Sequence, residues 1–238
     1  TQLLVADPGA GVRMAGVLAA RADDLTIRAN GASELRGATS AARDLFISGT
    51  TVDLSLADAD TFVYGARDLS LTASNALTLG TGSIGAERNV TFSAASLLDR
   101  GGDEDLRFAG DDGSLFANIA GDLDISGGYW VAPRLTFNAA NMLFGSGSVL
   151  QAYADTGTAL QLTTPGLLSI TGGQLFSGAG ASLAAQRLEV GEGGVVGAEG
   201  ALGIAVARGS AGGVENAGML SGESLGVGAS GLADATST

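Results

Sequence analysis

The chain has 238 residues, 45% of them hydrophobic, and a formal net charge of −13. It contains enough apolar material for a sizeable core and too much for a disordered chain. Because the chain has no histidine and no cysteine, it cannot form disulfides, histidine-based catalytic triads or the commonest zinc sites. Its acidic balance disfavours nucleic acid and anionic membrane surfaces as partners, and without a run of about 18 apolar residues we expect no membrane insertion.

An apolar–x–apolar phrase recurs along the chain at intervals of about twenty residues. Its central position is mostly polar or glycine, so it predicts a short strand whose two apolar side chains share one face. The first six copies predict these inward-facing rung residues: Leu25, Ile27, Leu45, Ile47, Leu69, Leu71, Val90, Phe92, Leu106, Phe108, Leu123 and Ile125. Six further copies run from Leu135-Thr136-Phe137 to Leu225-Gly226-Val227.

A second phrase, glycine followed by apolar residues and then alanine or glycine, lies upstream of several copies, as in Gly82-Ser83-Ile84-Gly85-Ala86. A third apolar pair often follows them, as in Leu77-Thr78-Leu79. Each unit therefore contains two or three strands, and the Gly, Asn, Asp and Ser residues between them favour tight turns.

Strands this short, repeated at this interval, predict an all-β fold, a parallel β-helix (β-solenoid) of about 20-residue coils. We expect residues 1–238 to form a single β-helical array. Because neither end shows an atypical capping unit, we also expect a fragment of a longer rod. The alternative is an antiparallel sandwich or propeller, which requires Asn-Gly or Asp-Gly hairpin turns. These occur only at Asn30-Gly31 and Asp112-Gly113.

An acidic or amide residue precedes six successive copies: Asp24, Asp44, Asp68, Asn89, Asp105 and Asp122. In a solenoid these would stack as a ladder. A row of carboxylates could bind Ca²⁺. The alternative, which we favour, is a row of Asx-turns neutralised by Arg43, Arg67 and Arg88.

Two further clusters each allow more than one interpretation. The stretch DRGGDEDLRFAGDDG concentrates Asp99, Asp103, Glu104, Asp105, Asp111 and Asp112. These could be the acid and base of a polysaccharide lyase or hydrolase, they could bind Ca²⁺, or they could form an exposed acidic loop between coils, which we favour. Tyr129 and Trp130, the latter the only tryptophan, could form an aromatic platform that stacks on sugars. Alternatively, Trp130 packs into the core.

The units Gly82 to Phe92, Asp44 to Gly49 and the C-terminal run GGVVGAEGALGIAVA resemble the haemagglutinin repeats of filamentous haemagglutinin, an exoprotein of bacterial two-partner secretion. The resemblance implies a right-handed β-helical rod that is secreted through an outer-membrane secretion partner. It also implies adhesion and virulence at the bacterial cell surface, with host-cell surface receptors or glycans as further partners. Related repeats form the stalks of contact-dependent toxin-delivery proteins.

The family's Arg-Gly-Asp tripeptide is absent, and the sequence shows no basic patch for glycosaminoglycans. We therefore expect a structural and adhesive shaft with no enzymatic activity, no catalytic residues, no metal site and no cofactor. If one patch binds a ligand, we expect it to contain Tyr129 and Trp130.

Overall fold

The computed structural model describes residues 1–5, 7–55, 60–102, 104–207 and 212–230. All of the regular structure in these ranges is β-strand, and nothing in them is a helix that could cross a membrane. The strands pair in parallel with the strand one coil away, and about 10 turns of about 22 residues each form a β-solenoid. The predicted fold class is therefore confirmed.

Three ladders of stacked strands form the three sides of the rod. Ladder 1 contains Gln2–Val5, Leu25–Ala29, the start of Leu45–Leu54, the start of Asp68–Leu79, Asn89–Ala94, Ser114–Ile119, Arg134–Asn138, Thr158–Thr163, Gly180–Ala185, Ala201–Ala207 and Ser224–Ser230.

Ladder 2 contains Val12–Met14, Ser33–Leu35, the end of Leu45–Leu54, the end of Asp68–Leu79, Ser96–Asp99, Asp122–Ile125, Asn141–Phe144, Leu167–Ile170, Arg187–Val190 and Gly213–Asn216. Ladder 3 contains Leu18–Ala20, Thr39–Ala41, Phe62–Gly65, Ser83–Ala86, Leu106–Ala109, Tyr129–Ala132, Val149–Ala152, Gln174–Ser177, Val195–Ala198 and Met219–Ser221.

The core is built from columns of aliphatic side chains that stack in register from coil to coil. Leu25, Leu45, Leu69 and Val90 form one such column in ladder 1, and each of them is at most 1% exposed. Because side chains alternate across a strand, the residue between two core positions faces outward. Each fully buried leucine stabilises the stack by about 1.5–3 kcal/mol.

Ten of the twelve predicted rung residues are buried, but the prediction is wrong for Leu106 and Phe108. In this strand Arg107 and Ala109 point inward, and the two apolar side chains face outward. The reversal has a physical cause, since Arg107 finds a buried carboxylate and backbone carbonyl partners inside the rod. The strand also belongs to ladder 3, whereas the first four predicted rungs belong to ladder 1.

Several glycines occur where a corner of one coil presses against the backbone of the coil before it. The tightest approach is at Gly113, where an added Cβ would lie 1.6 Å from the carbonyl oxygen of Arg88. No side chain fits there without moving the backbone, so the close stacking of these two coils depends on glycine.

Candidate ligand-binding face

The corner that leads into ladder 1 contains the first part of the predicted aspartate ladder. The backbone N–H of Asp44 donates to Asp24 at 3.2 Å, and the N–H of Asn89 donates to Asp68 at 3.1 Å. Each carboxylate thus receives a hydrogen bond from the coil that follows it, which caps the strand entrance as an Asx-type contact would.

Arginines pair with these carboxylates, each with a carboxylate of the preceding coil, and Arg67 also lies 3.8 Å from Asp68 of its own coil. Arg43 lies 3.3 Å from Asp24, and Arg67 binds Asp44 through two nitrogens, one of them at 2.6 Å. The hydrogen bonds from Arg67 lower the pKa of Asp44. In the next coil Arg88 binds Asp68 in the same way, and its hydrogen bond lowers the pKa of that carboxyl group.

The predicted six-residue ladder is wrong for its last two members. After Asn89 the column continues through Ser114 and Arg134. Asp122 lies at the start of a ladder 2 strand beside Asn141. Asp105 is only 3% exposed and accepts a hydrogen bond of 2.6 Å from the backbone N–H of Gly82, one coil earlier. The sequence phrase does not distinguish the three corners of the coil.

A polar cluster of Asp99, Arg107 and Trp130 lies inside the rod, and all three residues are 0% exposed. Asp99 and Arg107 form a two-point ion pair with nitrogen–oxygen distances of 2.9 and 3.1 Å. The remaining guanidinium hydrogens go to backbone carbonyl oxygens, including that of Gly82 at 2.6 Å. The pair is therefore hydrogen-bonded on both sides, as a buried ion pair must be.

Asp99 is saturated with donors and therefore unsuited to acid–base chemistry. Besides the two arginine nitrogens, it accepts from the Gly101 N–H at 3.0 Å and from Trp130 Nε1 at 2.9 Å. Burial raises the pKa of Asp99, while the charge and hydrogen bonds of Arg107 oppose the rise. Because a guanidinium does not lose its proton, the carboxylate form leaves no unpaired charge in the core.

The remaining acidic residues of that stretch do not converge on a site. Asp103 lies outside the described residues. Among those described, no three acidic side chains are grouped so that they could hold a metal ion.

Trp130 points inward, as the alternative interpretation of core packing expects, so the sugar-stacking platform is wrong for this residue. Its ring lies between Phe92 and Phe137 in edge-to-face contacts, with centroid distances of 5.4 and 5.3 Å. The alternation of the strand places Tyr129 and Val131 on the opposite, outward side. Trp130 therefore cannot stack on a ligand, whereas Tyr129 remains available.

The outward side of ladder 2 carries a column of side chains with a net negative charge. One outward column contains Arg13, Glu34, Asp53, Thr78, Leu98, Asp124, Leu143, Ser169, Glu189 and Glu215. The outward column of ladder 1 that contains Thr26, Ser70, Thr91 and Thr136 is instead rich in hydroxyl groups. These two outward columns thus differ in charge.

The outward side of ladder 3 has no charge and is rich in aromatic rings. We call it the ladder 3 face. From the third coil onward it consists of Phe62, Tyr64, Ser83, Gly85, Leu106, Phe108, Tyr129, Val131, Val149, Gln151, Gln174, Phe176, Val195, Gly197, Met219 and Ser221. Phe62 is 43% exposed and Met219 is 53% exposed. An uncharged aromatic strip on a protein of net charge −13 is a candidate binding surface.

Aromatic rings lie flat on this face over glycines of the neighbouring coil. A Cβ added at Gly85 would be 2.4 Å from Phe108 Cδ1, so the ring occupies the space above that glycine. Tyr64 approaches from the other side, with its ring 6.2 Å from that of Phe108 and inclined by 24°. Phe176 covers Gly197 in the same way, with 3.3 Å between the added Cβ and the ring. Flat rings of this kind leave one face towards solvent.

Hydrogen bonds to other coils orient all three tyrosine rings, and that of Tyr153 reaches two coils back. The Tyr64 hydroxyl donates to Glu87 at 2.6 Å, that of Tyr129 to Gln151, and that of Tyr153 to Asp111 at 3.1 Å. Burial and, to a lesser extent, these carboxylates raise the pKa of Tyr64 and of Tyr153 to about 12. Fixed rings lose little conformational freedom when a ligand stacks on them.

A depression of about 400 Å³ lies at the C-terminal part of the ladder 3 face. Its apolar side is the ring of Phe176, and its floor includes Gly178 and Gly197. Gln151, Tyr153, Asp155 and Glu199 supply polar groups at its edge. None of the ion pairs between described residues includes Asp155 or Glu199, so both carboxylates can accept hydrogen bonds from a ligand.

The residues that make up this face were missed in the sequence because they flank a buried position. In Gly82-Ser83-Ile84-Gly85-Ala86 the side chain of Ile84 enters the core, and Ser83 and Gly85 face outward. Aligning this phrase with the other coils would have placed Phe62, Phe108 and Phe176 on one surface. The signal is present in the sequence, but only once the coils are in register.

No family model, curated protein or solved structure matches this chain.

Proposed function

We propose that this chain is a shaft segment of a secreted bacterial filamentous adhesin, and that it contacts host-cell receptors or glycans through the ladder 3 face. The observation that supports this proposal is the continuous strip of uncharged and aromatic side chains, from Phe62 to Met219, along one side of an acidic rod. An extended strip suits a ligand that is engaged at many points, each of them weak.

The geometry of the coils supports the structural part of the proposal. About 10 turns stacked at about 4.8 Å give a rod of roughly 50 Å. The parallel ladders run through these coils in register and hold the binding side chains on a rigid support. Export through an outer-membrane partner and location at the bacterial surface complete the proposal, and they rest on the sequence resemblance.

Adhesion can be tested with the chain coupled to fluorescent beads and applied to cultured epithelial cells. The test variant combines Phe62→Ser, Tyr129→Ser and Met219→Ser on the ladder 3 face. The control variant combines Phe46→Ser, Phe116→Ser and Leu143→Ser, which are similarly exposed on the other two sides of the rod. We expect the test variant to lose bead attachment and the control to retain it.

Two outcomes would contradict the proposal. Equal attachment by both variants would show that the ladder 3 face is not the contact surface. No attachment by the unmodified chain would show that this segment is not adhesive. Circular dichroism of each variant checks that the β-helix is intact.

A further inference from the structure

We propose that the ladder 3 face binds an uncharged, linear polysaccharide lying along the rod axis, and that the depression beside Phe176 is its principal sugar subsite. This inference rests on the proposed function, because it names the class of ligand for the same surface. It excludes acidic polysaccharides and a second copy of the chain as the main occupant.

The depression has the chemistry of a sugar subsite. The ring of Phe176, 38% exposed, lies against Gly197 and presents its outer side to the depression. Apolar sugar faces stack on such rings. The volume of about 400 Å³ is within the usual range for small-molecule sites of about 300–1,000 Å³.

The polar groups at the edge suit the hydroxyl groups of a sugar. Asp155 and Glu199 are hydrogen-bond acceptors without an ion-pair partner among the described residues, and Gln151 also lies at this edge. Hydrogen bonds between hydroxyl donors and charged acceptors are stronger than those between neutral groups. The same carboxylates repel uronic acid, sialic acid and sulfated sugars, and none of the described residues that line the depression is basic.

The positions of the other rings indicate a linear ligand. Phe62, Phe108, Tyr129 and Phe176 come from different coils of the ladder 3 face. Phe62 and Phe176 lie five coils apart in the stack, which corresponds to roughly 24 Å along the rod. A single sugar cannot reach two distant rings, whereas a chain of several sugar units can. We therefore expect affinity to increase with oligosaccharide length.

A second copy of this chain fits the face less well. Eight coils of four-residue strands offer roughly 500 Å² on each partner, or about 1,000 Å² in total, which is at the lower limit for a specific protein interface. Two copies with a charge of −13 each would also repel one another. A neutral polymer has neither disadvantage.

The test uses the full chain and linear β-1,4-linked glucose and mannose oligosaccharides of two to six units, with polygalacturonate oligomers of equal length as the acidic comparison. Isothermal titration calorimetry measures binding. We expect the neutral hexamers to bind at least tenfold more tightly than the dimers and the acidic oligomers not to bind. Phe176→Ala should weaken hexamer binding by about tenfold, and Phe116→Ala, at a site that is 37% exposed on ladder 1, should leave it unchanged.

Each contrary outcome overturns the inference in a recognisable way. No binding of either neutral series, or equal loss in both variants, removes the sugar subsite. Preferential binding of a lysine-rich peptide, abolished by Asp155→Asn with Glu199→Gln, would assign the depression to a cation. A mass near twice 23.3 kDa in light scattering would indicate self-association. If cell attachment requires the ladder 3 face but neutral sugars do not bind, only this inference is lost. If neutral sugars bind but cell attachment does not require the ladder 3 face, the proposed function is lost.

Discussion

Trp130 and Asp99, 31 residues apart in the sequence, are joined by a hydrogen bond of 2.9 Å in the interior of the rod. Asp99 also holds the guanidinium of Arg107, so one carboxylate connects ladder 2 with two successive strands of ladder 3. Asp99 takes a core position between Leu79 and Ile125, and Arg107 takes one beside Ile84. Two aliphatic columns are thus interrupted by one polar cluster.

Removing Asp99 should be severely destabilising. Asp99→Ala leaves the charge of Arg107 buried without a partner, which costs about 3–5 kcal/mol. Urea unfolding measures the loss, with the exposed Asp122→Ala as the control. The double variant Asp99→Leu with Arg107→Leu restores both aliphatic columns and should recover much of the stability. A double variant no more stable than Asp99→Ala would contradict the assignment of the loss to an unpaired charge.

Trp130 should behave as a core residue and not as a ligand-binding residue. As the only tryptophan, it should fluoresce at shorter wavelength than free tryptophan, resist quenching by acrylamide and shift to longer wavelength on unfolding. Trp130→Ala should cost about 3–5 kcal/mol, because it removes the ring between Phe92 and Phe137. Ready quenching in the native state would show that the ring is exposed after all.

Acid should weaken the arginine–aspartate corner. Hydrogen bonds from Arg67 and Arg88 hold the pKa of Asp44 and Asp68 below the ordinary value of 3.8. The unfolded chain therefore binds these protons at higher pH than the folded one, so the stability they contribute is present above pH 3.8 and is lost as the pH falls below it. The raised pKa of Asp99 acts in the opposite direction, but a variant that keeps Asp99 retains this contribution.

The comparison is between the unmodified chain and the double variant Asp44→Asn with Asp68→Asn. We expect the unmodified chain to have the higher melting temperature at pH 7, and the difference between the two proteins to shrink at pH 3. A difference that grows on acidification would contradict the lowered pKa values.

Gly113 should not tolerate a side chain. Gly113→Ala would bring Cβ against the carbonyl oxygen of Arg88, and the backbone shift should cost about 2 kcal/mol or more. At Gly226 an added Cβ meets no atom within 4 Å, so Gly226→Ala should be nearly neutral. Chemical unfolding of the two variants checks the expectation, and equal stabilities would show that the coils can separate at this corner without cost.

The two sides of a ladder 1 strand should respond differently to charge. Leu69 is 1% exposed, whereas Ser70 faces outward. Leu69→Asp would bury an unpaired charge and should cost about 3 kcal/mol or more, and Ser70→Asp should cost less than about 1 kcal/mol. Thermal unfolding followed by circular dichroism separates the two. Similar losses would mean that the strand faces are assigned wrongly.

The sequence predicts the coil because alternation and spacing are local properties. For Leu45 and Ile47, the alternation along their own strand correctly predicts that the side chains point inward. Leu106, Arg107 and Phe108 form the same pattern with the opposite direction, since the partner that draws Arg107 inward is Asp99 in a different strand. Local alternation has no means of showing such a contact. For the same reason, local alternation does not show whether Tyr129 or Trp130 faces inward. The contact that fixes the direction of Trp130 is its hydrogen bond to Asp99 in another strand.

The arginines at the corner that leads into ladder 1 reach back along the chain to the coil before them. Arg43, Arg67 and Arg88 each pair with a carboxylate about twenty residues earlier in the chain. A coil that forms first on the N-terminal side therefore presents a ready acceptor to the arginine of the next coil. A chain that reaches its folding environment N-terminus first could close each of these three ion pairs as soon as its arginine arrives.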